Sequence, residues 1–141
     1  MNFEKFTTLA QQALSQAQAN AVRDQHGEVG SLQLLVALLS EKDGPASSVL
    51  TKAGLDPARI SSTAVAQLSR QPRVQGATAN AGRELMEVIG AAERLALKMK
   101  DTYVSSDHLL IAIAQTRGAG QDVLAAVGAN AKDLETAARD I

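Results

Sequence analysis

Two histidines, His26 and His108, and the run Ser105-Ser106-Asp107-His108 are the residues of this 141-residue chain whose types could carry chemistry. A serine beside an acid and an imidazole suggests a nucleophile with its base, and histidines with carboxylates suggest a metal. Neither pattern is completed. A nucleophile needs a base held against it and a third group to orient that base, and zinc needs clustered His, Cys or carboxylate ligands. The chain has no cysteine, and its two histidines stand alone. Ser105, Ser106 and Asp107 read instead as a helix start. A serine hydroxyl there caps free backbone N–H groups, and an acid in the first turn suits the helix dipole. His108 then makes a structural hydrogen bond, and His26, in a turn, is read as solvated. Glu84, Glu87, Glu93, Arg94, Lys98 and Lys100 lie around one helix and are read as its solvated face. No G-x-x-x-x-G-K-[ST] run is present, so the chain cannot bind ATP by the P-loop route.

Composition narrows the class further. Hydrophobic residues make up 45% and aromatics 2%, so the core must be built from Ala, Leu, Val and Ile. Net charge is −1 with both signs interspersed, which excludes a phosphate-neutralising surface and predicts no nucleic-acid partner. No apolar run approaches the roughly 20 residues that span a bilayer, and Met1-Asn2-Phe3-Glu4-Lys5 lacks the pattern of a signal peptide. With no disulfides available, a soluble cytoplasmic protein without a membrane partner is expected.

The elements that position these residues come in two copies. Val104-Ser105-Ser106-Asp107-His108-Leu109-Leu110-Ile111-Ala112-Ile113 aligns without gaps with Val29-Gly30-Ser31-Leu32-Gln33-Leu34-Leu35-Val36-Ala37-Leu38, 75 residues upstream. Each is a helix apolar on nearly every side, so each must be covered by neighbours. A longer helix precedes each. Phe6, Ala10, Ala13, Leu14, Ala17 and Ala21 mark one face of the first, with Gly27 as its stop. Leu85, Val88, Ile89, Ala92, Ala96 and Met99 mark the second. Large residues of the second stripe fall opposite small ones of the first, as complementary packing would allow. Met86 and Leu97 lie off the stripe, open either to a partner or to burial against the other repeat. Pro45 starts a third helix running to about Lys52, and Asp56-Pro57 a fourth. Val123-Leu124 and Gly128 repeat Val49-Leu50 and Gly54, and Asn130 takes the capping place of Asp56. The expected fold is all-α: eight helices in two four-helix repeats about a pseudo-two-fold axis, with no sheet. The boundaries fall at about 1–70 for the first repeat, 71–79 for a linker, and 80–141 for the second.

These motifs resemble the duplicated N-terminal repeat of the Clp unfoldases, most closely that of the ClpB-type disaggregases. The resemblance covers the whole chain. It is carried by Thr7 and Ala13-Leu14, by Leu50-Thr51-x-Ala53-Gly54, by the linker Arg70-x-Pro72-x-Val74-x-Gly76, and by Val104-Ser105-Ser106 with its core helix. One departure stands out. Gly30-Ser31-Leu32-Gln33 replaces the family's usual Ser-Pro-Glu-His, so the first copy lacks the acid and the histidine.

The resemblance implies a non-catalytic Clp N-terminal domain, here cut from a larger AAA+ ATPase that assembles as a hexamer. ATP and Mg2+ would be cofactors of the parent's ATPase modules, with none in this domain and no metal or catalytic site. The implied partners are unfolded or aggregated polypeptides, passed toward the hexamer pore, with the DnaK chaperone system supplying clients. The implied contact surface runs from Thr7, at the start of the first helix, to Asp107, at the start of the second core helix. Ile89 and Ala91 would supply an apolar floor between the repeats. Thr7 and Asp107 serve equally well as plain helix starts. The alternative function is adaptor docking, as in the protease-coupled ClpA and ClpC relatives.

Overall fold

The computed structural model describes residues 3–76 and 78–141. Eight helices form most of it. The first four are α1 Thr8–Arg23, α2 Ser31–Leu39, α3 Pro45–Lys52 and α4 Pro57–Ser69; the second four are α5 Arg83–Lys98, α6 Ser106–Gln115, α7 Ala119–Ala126 and α8 Ala131–Arg139. Local chemistry sets their starts. Thr7 Oγ1 accepts from the Ala10 N–H at 3.1 Å to cap α1. Pro45 and Pro57 occupy the first turns of α3 and α4, where the missing N–H costs nothing. Asn130 Oδ1 caps α8 through the Asp133 N–H at 2.9 Å.

The helix ends repeat as the starts do. After α3 and α7, Gly54 (φ 84°) and Gly128 (φ 79°) take the left-handed conformation. The Leu55 and Ala129 N–H groups then return to the Leu50 and Leu124 carbonyls. The stop of α1 is not Gly27. Gln25 adopts φ 59° and the His26 N–H bonds back to the Ala21 carbonyl; Lys100 (φ 61°) and Asp101 do the same after α5. Hydrogen-bond closure of the last turn thus outweighs the steric cost of a non-glycine residue there.

The expectation of no sheet is corrected on a small scale. Glu28–Val29 (β1) and Asn80–Ala81 (β2) form a parallel pair, with Val29 opposite Ala81, and Phe6 forms an isolated parallel bridge with Val104. Two residues are too few to display alternation, so period-two reading had nothing to find. The two pairings are copies of one another. In each, the lead-in to one repeat's long helix is hydrogen-bonded to the lead-in of the other repeat's core helix.

The core helices α2 and α6 touch along the pseudo-two-fold axis. α3 packs on α6 and α8, while α4 packs on α2 and α7, so the repeats interdigitate. Leu34, Leu35, Leu109, Leu110, Ile111 and Ile113 are fully buried, and the described core contains one aromatic side chain, Phe6. The expected size complementarity between the two long helices is not a direct contact. α1 lies on α2 and α5 on α6, each within its own repeat. At the other end of the molecule, Lys98 of α5 meets Glu135 of α8 at 3.2 Å. Arg139, and then Lys98, hold the Glu135 carboxyl below its usual range by hydrogen-bonding its charged form.

Candidate functional site

The run Ser105–His108 is spent on starting α6. His108 is 1% exposed; its Nδ1 accepts the Ser105 N–H at 2.9 Å, which places the ring proton on Nε2, donated to Asp101 Oδ2 at 2.7 Å. The Ser105 hydroxyl donates to Asp107 Oδ1. The Ser105 Oγ lies 3.1 Å from His108 Nδ1, but that nitrogen already accepts the Ser105 N–H. Among the described residues, no three His, Cys, Asp or Glu gather as a metal site.

The first copy keeps this network with the residues exchanged. His26 is 4% exposed, which corrects its reading as solvated. It stands where Asp101 stands in the second copy, and Gln33 stands where His108 does. Gln33 Oε1 accepts the Gly30 N–H at 2.9 Å, so its amide nitrogen donates to His26 Nδ1 at 3.2 Å and to the Glu28 carbonyl at 3.3 Å. The departed motif therefore preserves the cap. What it lacks is an acid in the first turn of α2.

Glu84 supplies that acid from the other repeat. Its Oε1 accepts the Ser31 N–H at 2.6 Å and its Oε2 the Ala119 N–H at 3.2 Å, so one carboxylate spans the starts of α2 and α7. Beside it, the Ser31 hydroxyl accepts the Gly120 N–H at 2.8 Å. A Cβ at Gly118 would lie 1.6 Å from Glu84 Oε2, and one at Gly30 2.8 Å from Oε1. The assignment of Glu84 to a solvated helix face is corrected accordingly. Helix spacing identifies a face but not what another repeat brings to it. The glycines at 30 and 118 were the available signal that something approaches closely.

An apolar trough of about 530 Å³ crosses the repeat boundary. Leu14 and Gln18 of α1 form one wall, Leu85, Met86 and Ile89 of α5 the other, and Val29 with Ala81 the floor. Met86 is 43% exposed and Leu97 77% exposed, so both off-stripe residues face outward. Ile89 lines this trough. Ala91 does not; it lines a second depression on the opposite flank of α5, with Arg94 and Arg117. Asp107 lines a third hollow with Asp101 and Arg139. Thr7 lies at the edge of α1, its N–H donated to the Val104 carbonyl at 2.9 Å, which ties it to the lead-in of α6. The structure thus brings Thr7 near the start of α6 and separates Ile89 from Ala91. Sequence reading missed Leu14 and Leu85 as trough walls and left Met86 open between a partner and burial; a methionine off the apolar stripe, next to a leucine on it, was the signal.

Polar groups committed to helix starts thus lie beside an open apolar trough. The chain matches the Clp repeat (R) N-terminal domain over residues 5–127 and belongs to that family. It is 31% identical over 139 residues to the chaperone protein ClpB of Rhodopirellula baltica, covering 98% of this chain and 16% of that protein. The chain therefore spans about one-sixth of the length of the first curated relatives it matches. The fold is similar to that of the Hsp104 N-terminal domain from Candida albicans, with a TM-score of 0.83 at 19% identity, covering 96% of this chain and 89% of that one. It is also similar to a ClpV N-domain in complex with a VipB peptide, with a TM-score of 0.77 at 21% identity, covering 94% and 83%.

Proposed function

We propose that this chain is the substrate-binding N-terminal module of an ATP-dependent disaggregase of ClpB type. It engages unfolded or aggregated polypeptide and aids its transfer to the pore of a hexamer. The observation that carries the reading is the open apolar trough across the repeat boundary. Its walls offer apolar contact without a deep enclosed pocket, which suits weak binding of many sequences. On this reading the first repeat spans about residues 1–70 and the second 80–141, joined by 71–79. ATP and Mg2+ act in the parent's ATPase modules, the DnaK system delivers clients, and the protein works in the cytoplasm. No helix among the described residues is long and apolar enough to cross a membrane.

A second reading, docking of one defined adaptor, is favoured by a relative of the same fold being captured with a single peptide, VipB. Binding of a fluorescent, chemically unfolded protein, followed by anisotropy well below the melting temperature, separates the two. Saturable binding of several unrelated unfolded proteins supports the client reading; none binding would leave the adaptor reading. Within the first outcome, Met86→Asp should weaken binding if the trough is the site, at little cost to the fold because Met86 is exposed. Thr7→Ala with Asp107→Ala should weaken it if the surface between those two helix starts also contributes. Unchanged binding by the double variant, with helicity preserved, removes Thr7 and Asp107 from the site.

A further inference from the structure

The start of α5 is held to the first repeat by few bonds. Among the described residues, these are the pairing of β1 with β2, continued by the Gly82 N–H to the Val29 carbonyl at 3.2 Å, the Gln18 amide to the Thr78 carbonyl at 3.3 Å, and Glu84. Of these, only Glu84 anchors the body of the helix. Its Oε1 makes the tie to the first repeat, at the start of α2, while its Oε2 bonds the start of α7 in its own repeat. The next two residues along α5, Leu85 and Met86, form the wall of the apolar trough.

The arrangement is one-sided. The residue equivalent to Glu84 in the first copy is Leu9, which is exposed and cannot bond a helix start. The second core helix carries its own first-turn acid, Asp107, whereas α2 has none and borrows one across the repeat boundary. The duplication would be satisfied by an acid within each repeat. Placing one in trans adds a tie between repeats at the edge of the trough.

We propose that Glu84 is a latch that fixes the width of the trough: bonded to the start of α2, and steadied by the start of α7 in its own repeat, it holds the α5 wall against the first repeat, and its release lets that wall swing outward on α6. This inference rests on the trough being the client site and names how access to it is set. An acidic group on a client polypeptide competes for the same N–H groups, since a carboxylate is what they already hold. Binding such a client therefore opens the trough that accepts its apolar neighbours.

Hydrogen exchange on the intact chain tests the latch without reference to any client. In Glu84→Ala, the amides of Met86 to Ile89 and of Val29 should exchange about tenfold faster, as expected for loss of a charge-assisted contact, while those of α3 and α8 stay protected. Gly30→Ala should reproduce the pattern from the opposite side, because its Cβ lies 2.8 Å from Oε1, the oxygen that bonds the start of α2. Glu84→Gln, with one acceptor oxygen kept, should fall between. Uniform acceleration across all helices would overturn the latch in favour of a general contribution to stability, and so would unchanged exchange at the trough. Binding of an unfolded protein by the same variants gives the separate reading. Tighter binding in Glu84→Ala supports the latch as a gate. Opened exchange with unchanged binding overturns the gate, and an absence of binding in the parent chain instead rejects the client site.

Discussion

At the residue scale, the capping function at position 108 is served by an imidazole and at the equivalent position 33 by an amide. Both side chains place an acceptor on the backbone N–H three residues back, His108 Nδ1 on Ser105 and Gln33 Oε1 on Gly30. Exchange between them should therefore be tolerated. His108→Gln is expected to retain most of the stability, whereas His108→Ala leaves the Ser105 N–H and Asp101 without their partner and opens a cavity beside the core. The loss should be roughly 1–3 kcal/mol, measured by urea denaturation. Equal losses in both variants would show that the imidazole acts through its volume and not through its acceptor.

At the scale of the elements, the helix ends divide by residue type. α3 and α7 stop at glycines in the left-handed region, while α1 and α5 stop at Gln25 and Lys100 in the same region. A residue with a Cβ is strained there and glycine is not. Both side chains are exposed, and neither makes a side-chain hydrogen bond or ion pair among the described residues. Gln25→Gly and Lys100→Gly should each stabilise the fold by about 0.5–1 kcal/mol, read as a raised melting temperature. A fall in stability would mean that the entropy of the unfolded glycine chain outweighs the relieved strain.

At the scale of the whole molecule, the repeats cannot be separated without exposing both core helices. α2 and α6 pack on each other, and each is covered on another side by a helix of the opposite repeat. Thermal unfolding should accordingly be a single transition seen alike by circular dichroism and calorimetry. Leu35→Ala in one copy and Leu110→Ala in the other should each cost about 2–5 kcal/mol and lower that one transition, since both side chains are fully buried. Two resolved transitions in either variant would show that the four-helix units fold independently.

The sequence by itself determined the helices, several of their starts and their duplication, because these rest on contacts within a few residues; the serine cap expected at α6 and the stop of α1 at Gly27 were not among them. Pro45, Asp56-Pro57 and Asn130 act on their own first turns, and the apolar residues of α2 and α6 demand cover whatever supplies it. The tertiary structure alone decided what crosses between the repeats. A two-residue parallel pair leaves no periodic trace. His26 is buried by Gln33 and by the packing of its repeat, and Glu84 reads as an ordinary surface acid on α5 until α2 and α7 are laid beside it. Candidate site residues followed the same division. Thr7 and Asp107 could be placed at helix starts from their neighbours in the chain, and the two-residue spacing of Ile89 and Ala91 already sets them on different flanks of α5; only packing decided that the flank of Ile89 lines the trough. Helical spacing fixes angle around one axis, but a trough needs a second wall, and its position is set by side chains about 75 residues away in the chain, through the interhelical packing distances of the core.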